Sequence, residues 1–218
     1  MREFGTILNM AGSLIQGKTQ NLSNQVEGVI IVIMKINSVV LADKQTVLLL
    51  EDFFEAEFLE KLTRLFEQHT ISSDWIDAEW TSRRKIYCGN DPVYLELLEV
   101  LASPKILTTI EQVLDKKIKF DSVKLWSDYP GFGPLQAHQE GSGQGQAQIY
   151  ITRKEHVANG VSVLNNDKQM LFTLPYRNNY GWYFDECTKI MHSREFDVPV
   201  GAVRYSLIFW YNYETKIY

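Results

Sequence analysis

Two hydrophobic rhythms divide this chain: helical spacing between about residues 50 and 116, then short alternating runs from 117 onward. Val47-Leu48-Leu49-Leu50 is a continuous apolar run, the mark of a short buried strand. Phe58, Leu59, Leu62, Leu65 and Phe66 follow the i, i+3, i+4, i+7 stripe of a helix with one face on a core. They predict a helix over 54–68, with Asp52 as its cap. Asp91-Pro92 and Ser103-Pro104 each place a side-chain cap before a proline, which is tolerated at the first helical position because its missing N–H would be unpaired there anyway. The first pair opens a helix to about 102 with Leu95, Leu97, Leu98 and Leu101 on it. The second opens one to about 115 carrying Ile106, Ile110 and Val113.

After Lys116 the runs shorten to strand length, at 118–127, 134–140, 146–152, 160–164, 170–174, 181–184, 189–192 and 201–211. Pro-Gly, Gly-Ser-Gly, Asn-Gly and Asn-Asn separate them. Strands so spaced predict a sandwich or jelly roll. The expected fold class is α+β, a double-stranded β-helix core with N-terminal supporting helices. The expected layout is helical support over 50–116 and a jelly-roll core over 117–213, inside one domain at 34–218. Residues 1–33 are expected to be a disordered arm or an upstream extension. The alternative is a first strand over 29–36.

The remaining bulk properties mostly exclude. At 218 residues with 45 % apolar content the chain can bury a substantial core. Net charge is −5 and no basic cluster is longer than Arg83-Arg84-Lys85, so nucleic acid is not an expected partner. Val29–Met34 is too short to span a bilayer, so no membrane partner is expected. Cys88 and Cys187 lie outside any CxxC and read as reduced thiols of a cytoplasmic protein.

The chemistry-bearing residues are sparse and sit in the second half. Alternate strand residues share a face, so His138 and Glu140 can chelate one ion from one strand, with Gln136 on the same side. The glycine-rich stretch 141–145 that follows lacks the lysine and helix of a phosphate loop. Of the four histidines, His69 ends an amphipathic helix and reads as a C-cap, and His156 lies in the charged loop after Arg153-Lys154-Glu155. His138 and His192 remain, both in strand context. On strand 201–211, Ala202, Arg204, Ser206, Ile208 and Trp210 share one face. A guanidinium among apolar neighbours needs a partner. A carboxylate ligand held bidentately, with Ser206 donating, is one reading; an internal salt bridge to Asp or Glu is the other.

Taken as an ordered set, these motifs resemble the Fe(II)- and 2-oxoglutarate-dependent dioxygenase superfamily. The set is Trp126-Ser127-Asp128-Tyr129-Pro130-Gly131-Phe132 leading to His138-x-Glu140, Gln146–Ile151, Leu174–Asn179 with Gly181–Phe184, Met191-His192-Ser193, Val198-Pro199-x-Gly201 and Arg204-x-Ser206-Leu207. It covers about residues 120–213. The resemblance, nearest to prolyl hydroxylase-like members, implies that His138, Glu140 and His192 bind Fe(II). It implies that Arg204 and Ser206 hold the distal carboxylate of 2-oxoglutarate, with Tyr150 a further candidate contact. No catalytic residue is expected beyond the metal ligands. O2 and a primary substrate would be the reaction partners, ascorbate a supporting reductant, and succinate and CO2 the co-products of hydroxylation. Most members carry Asp where this chain has Glu140. Two other readings stay open: a cupin-like metalloenzyme that does not use 2-oxoglutarate, and a non-catalytic jelly-roll binding protein.

Overall fold

Strands that follow one another in this sequence do not follow one another in space. The computed structural model describes residues 19–20, 34–41, 46–133, 135–140, 145–154, 160–194 and 197–214. The N-terminal part comprises β1 (Thr19–Gln20), β2 (Lys35–Val40), β3 (Thr46–Glu51), α1 (Ala56–Glu67), β4 (Trp75–Ala78), β5 (Thr81–Tyr87), α2 (Pro92–Leu101) and α3 (Pro104–Leu114). Then come β6 (Ile118–Asp128), β7 (Leu135–His138), β8 (Gly145–Ile151), β9 (Ser162–Leu164), β10 (Met170–Thr173), β11 (Tyr180–Phe184), β12 (His192–Arg194) and β13 (Arg204–Tyr213).

One sheet runs in the order β1-β2-β3-β11-β8-β13-β6-β5-β4, the other β10-β9-β12-β7. From β6 onward the chain winds between them: β6, β8, β11 and β13 lie in the large sheet, and β7, β9, β10 and β12 in the small one. All the pairings are antiparallel. This winding is the double-stranded β-helix, and with the helices it makes the class α+β.

The large sheet has two different faces because its strands alternate. Leu125, Ala147, Ile149, Leu207 and Phe209 face the helices and pack with Phe58, Leu62, Phe66, Leu97, Ile106 and Ile110. The opposite face looks toward the small sheet, where Val163, Trp182, Phe184 and Ile190 form a second cluster. β8 lies between β11 and β13 and is buried along its whole length. Leu62 is fully buried in the larger core. Leu62→Ala is expected to cost about 2–5 kcal/mol, read as a lowered urea midpoint with an unchanged slope.

The helix-opening devices at 91–92 and 103–104 act as the sequence suggests. The Asp91 carboxylate accepts from Val93 N at 2.8 Å and Ser103 Oγ from Ile106 N at 3.5 Å. The Asp52 cap is corrected. Glu55 is the N-cap of α1, with no side-chain cap bond, and Asp52, at φ 51°, pairs with Lys35 at 2.8 Å. The reason is that Phe53 and Phe54 intervene, both buried in the core. Asn179 pins them, its Oδ1 accepting from Phe54 N at 2.8 Å and its Nδ2 donating to Phe54 O at 2.7 Å. Leu95, expected on the packed stripe of α2, is exposed. The C-cap of α1 is Gln68 rather than His69, which follows in a 3₁₀ turn with its Nδ1 2.7 Å from Phe66 O. Strand β5 escaped the periodicity because the run Thr81–Tyr87 is rich in charge, and β4, at the edge of the sheet, is only four residues long. Near the alternative first strand at 29–36, the described strand is β2, which starts at Lys35. Apart from Thr19–Gln20, the expectations for residues 1–33 lie outside the described residues, as do His156 and residues 141–144.

Candidate active site

Antiparallel pairing of β7 with β12 sets His138 directly opposite His192. Their rings are 4.4 Å apart between centroids. Glu140 follows two residues after His138, where β7 has ended, and its backbone N–H donates to Cys187 O at 3.4 Å. One ligand atom from each of His138, Glu140 and His192 lies within 4.8 Å of the others. Glu140 Oε1 is 3.8 Å from His138 Nε2 and 3.4 Å from His192 Nε2. First-row metal–nitrogen bonds of about 2.0–2.1 Å put neighbouring donors roughly 3 Å apart, so the three groups would have to draw closer to share one ion.

The far sides of the rings fix the tautomers. His138 Nδ1 is 2.8 Å from Gln136 O, and His192 Nδ1 is 3.2 Å from Ile190 O. A carbonyl can only accept, so each Nδ1 carries the hydrogen and each Nε2 lone pair is left for a ligand. Gln146 Nε2 donates to Glu140 Oε1 at 3.3 Å and steers the carboxylate. The two histidines hold the Glu140 carboxyl well below the usual carboxylate range, and Glu140 in turn raises the pKa of His138. Phe184 and Trp182 pack on the His192 ring at 5.1 and 6.1 Å.

Behind this triad the structure holds a charge cluster that the sequence reading missed. Sheet register puts Asp128, the last residue of β6, between Arg84 on β5 and Arg204 on β13. Asp128 is fully buried. Arg84 grips it as a fork, Nε to Oδ1 at 2.5 Å and Nη2 to Oδ2 at 3.0 Å. Arg204 donates Nε to Oδ2 at 3.1 Å, and its Nη2 also bonds Oδ2. Arg194 stands farther off, Nη1 3.4 Å from Oδ2, and donates Nη2 to Phe132 O at 2.8 Å. Two guanidinia lie against the Phe132 ring, Arg84 at 4.3 Å and Arg194 at 4.8 Å from its centroid. Burial alone would raise the pKa of Asp128; Arg204 and Arg84 outweigh it and hold the carboxyl below its ordinary value. Burial and then Arg204 pull the Arg194 pKa down to about 9, the mark of a site crowded with positive charge. Gly133 lets the loop after β6 pass over Arg194: its φ is +125°, and a Cβ there would sit 2.6 Å from Nη2.

A cavity of about 230 Å³ joins the two groups. His138, Glu140 and His192 line it together with Arg84, Arg194, Arg204 and Gln148. Its lining residues carry buried polar atoms without a partner: Nε1 of Trp126 and Trp182, Nε of Arg194 and Oε1 of Gln146. Native interiors rarely leave such groups unpaired, and three of these four atoms are N–H donors, so the cavity suits a small ligand rich in acceptors. The donor set of the triad fits a divalent first-row metal, and the cationic wall fits a carboxylate.

No family model matches the sequence, and no curated protein matches it. Solved structures do. A prolyl-4-hydroxylase from Pseudomonas putida superposes with a TM-score of 0.57 at 15 % identity, covering 78 % of this chain and 93 % of that one. An oxidoreductase of the 2OG-Fe(II) oxygenase family from Burkholderia pseudomallei gives 0.57 at 11 %, covering 76 % and 84 %. The HygX protein of Streptomyces hygroscopicus, with nickel, 2-oxoglutarate and hygromycin B bound, gives 0.56 at 13 %, covering 78 % and 84 %. The chain has the fold of the 2OG-Fe(II) oxygenases.

Within that oxygenase fold the sequence-chosen residues divide. His138, Glu140, His192 and Arg204 meet at one cavity. Ser206 and Tyr150 do not line it; they face each other across β13 and β8, buried, with hydroxyls lacking a partner. Arg204 has a protein carboxylate against it, the internal salt bridge that stood as the alternative reading. Arg194 was within reach of the sequence. It stands two residues after His192 on β12 and so shares its strand face. Asp128 and Arg84 were not, since only the strand register brings them to Arg204.

Proposed function

We propose that this chain is a non-haem Fe(II)- and 2-oxoglutarate-dependent dioxygenase that hydroxylates its substrate with release of succinate and CO2. One observation carries the reading. Two histidines with outward Nε2 lone pairs and one carboxylate line a cavity whose other wall is cationic. A metal at the first group and a carboxylate at the second would be bridged by a short keto diacid. The binding of nickel and 2-oxoglutarate by the similar Streptomyces protein supports it.

In this reading His138, Glu140 and His192 hold the metal, which supplies the oxidative chemistry when bound. Gln136 and Ile190 carbonyls orient the two imidazoles, and Gln146 steers Glu140. Trp182 and Phe184 keep water from the His192 side. The guanidinium wall takes the distal carboxylate of the cosubstrate. A second reading, a metalloenzyme of the same fold that does not use 2-oxoglutarate, draws on the Asp128 carboxylate already bonded to Arg204.

Succinate formation separates the two. Purified protein given Fe(II), ascorbate, O2 and 2-oxoglutarate, without primary substrate, is expected to form succinate slowly. Anaerobic addition of 2-oxoglutarate to the Fe(II) protein is expected to give a visible charge-transfer band. Glu140→Ala should lose both signals; Glu140→Asp, which restores the commoner ligand, should keep part of them. Absence of both signals in folded, iron-loaded wild type would sink the dioxygenase reading. An Ala variant equal to wild type would remove Glu140 from the ligand set.

A further inference from the structure

The arginine wall is not made of three equal members. Asp128 receives two bonds from Arg84 and two from Arg204, all at its two oxygens. Its only link to Arg194 is the 3.4 Å approach of Nη1. Arg194 is 99 % buried (1 % exposed), yet its Nε has no partner. Among the described residues, Asp128 is the one carboxylate paired with these three guanidinia. Arg194 is the member that carboxylate serves least. Arg194 also lies nearest to the triad in sequence and on the same strand, two residues from His192. Two other unpartnered N–H donors, the indoles of Trp126 and Trp182, belong to residues lining the same cavity. A ligand group that only accepts hydrogen bonds, and carries negative charge, suits a lining of this kind, with the Arg194 guanidinium as its charged donor.

We infer that Arg194, rather than Arg204, is the residue that holds the distal carboxylate of the keto-diacid cosubstrate, while Asp128 fixes Arg84 and Arg204 as the wall behind it. This assignment rests on the dioxygenase reading above. It makes Arg194 a specificity-determining residue: it selects a keto acid with a second carboxylate over one without.

The test compares two keto acids of equal chain length, 2-oxoglutarate and 2-oxopentanoate, which share the metal-facing end and differ only at the distal carboxylate. Binding to the full chain loaded with Mn(II) is measured by calorimetry without O2. Wild type is expected to prefer 2-oxoglutarate. Arg194→Gln should weaken 2-oxoglutarate by about a hundredfold, the size of losing a charge-assisted bond, and leave 2-oxopentanoate unchanged. Arg194→Lys keeps the charge without the fork. It should fall between the two and serves if the Gln variant does not fold. Stoichiometric Mn(II) uptake by each variant checks that the triad is intact. A structural role for Arg194 would weaken both keto acids alike and overturn the assignment. Wild-type preference in both variants would also overturn it, leaving the dioxygenase reading in place. Wild type that takes up Mn(II) but binds neither keto acid would overturn both.

Discussion

His192→Ala is expected to abolish stoichiometric metal binding while leaving the fold in place. Removing a group that only orients a ligand already costs 10–100-fold in affinity, and His192 is proposed as a ligand itself. Its side chain contributes little else: one local bond to Ile190 O and ring contacts with Trp182 and Phe184. Far-UV circular dichroism should therefore stay near wild type. His138→Ala should behave the same way, because the two imidazoles converge on one Glu140 oxygen. The His138 side chain is 41 % exposed against 7 % for His192, so its loss should disturb packing less. Anaerobic titration with Fe(II), Mn(II) or Ni(II) reads the effect directly. Full-stoichiometry binding in both variants would remove the triad as a metal site.

The legibility of this chain follows from the range of the interactions involved. Period-2 patterning is local, so β6, β8, β11 and β13 could be read to within a few residues, and the caps at Asp91 and Ser103 could be read outright. The nearness of His138 and Glu140 is likewise local, although β7 ends at His138 and Glu140 reaches the site from the segment after it rather than from the same strand. What depends on register was hidden. Asp128 meets Arg84 and Arg204 because three strands align at one row, and no spacing in the sequence encodes that alignment. The charge-rich β5 hides for a related reason: its charges look like a loop until Arg84 is seen to turn inward onto Asp128 and the Trp126 ring, 3.8 Å from its centroid. Asp52 misled because a capping residue is only as good as the distance to the helix, and two buried phenylalanines had first claim on the backbone between them.

Asp128→Asn is expected to be the most destabilising single change in the inner layer of the barrel. The substitution keeps size and shape but removes the only carboxylate bonded to Arg84, Arg194 and Arg204 among the described residues. Breaking a buried ion pair by removing one partner costs on the order of 3–5 kcal/mol, a large fraction of a total stability of roughly 5–15 kcal/mol. At about 2–4 °C per kcal/mol for a chain of this size, the melting temperature should fall by roughly 10 °C. The effect has a defined pH window. The folded-state pKa of Asp128 is depressed, so its contribution is complete above the unfolded value of about 3.9 and is lost only as pH falls through the lower folded value. Wild type and variant should therefore differ fully near pH 7 and converge in strong acid. Charge, rather than shape, can be isolated with Asp128→Asn/Arg84→Met, which removes one cation along with the anion. Partial recovery in the double variant would report a coupling between the two side chains. Equal urea midpoints for wild type and Asp128→Asn at neutral pH would mean that the three guanidinia do not depend on Asp128. The division of labour between Arg204 and Arg194 would then lose its basis.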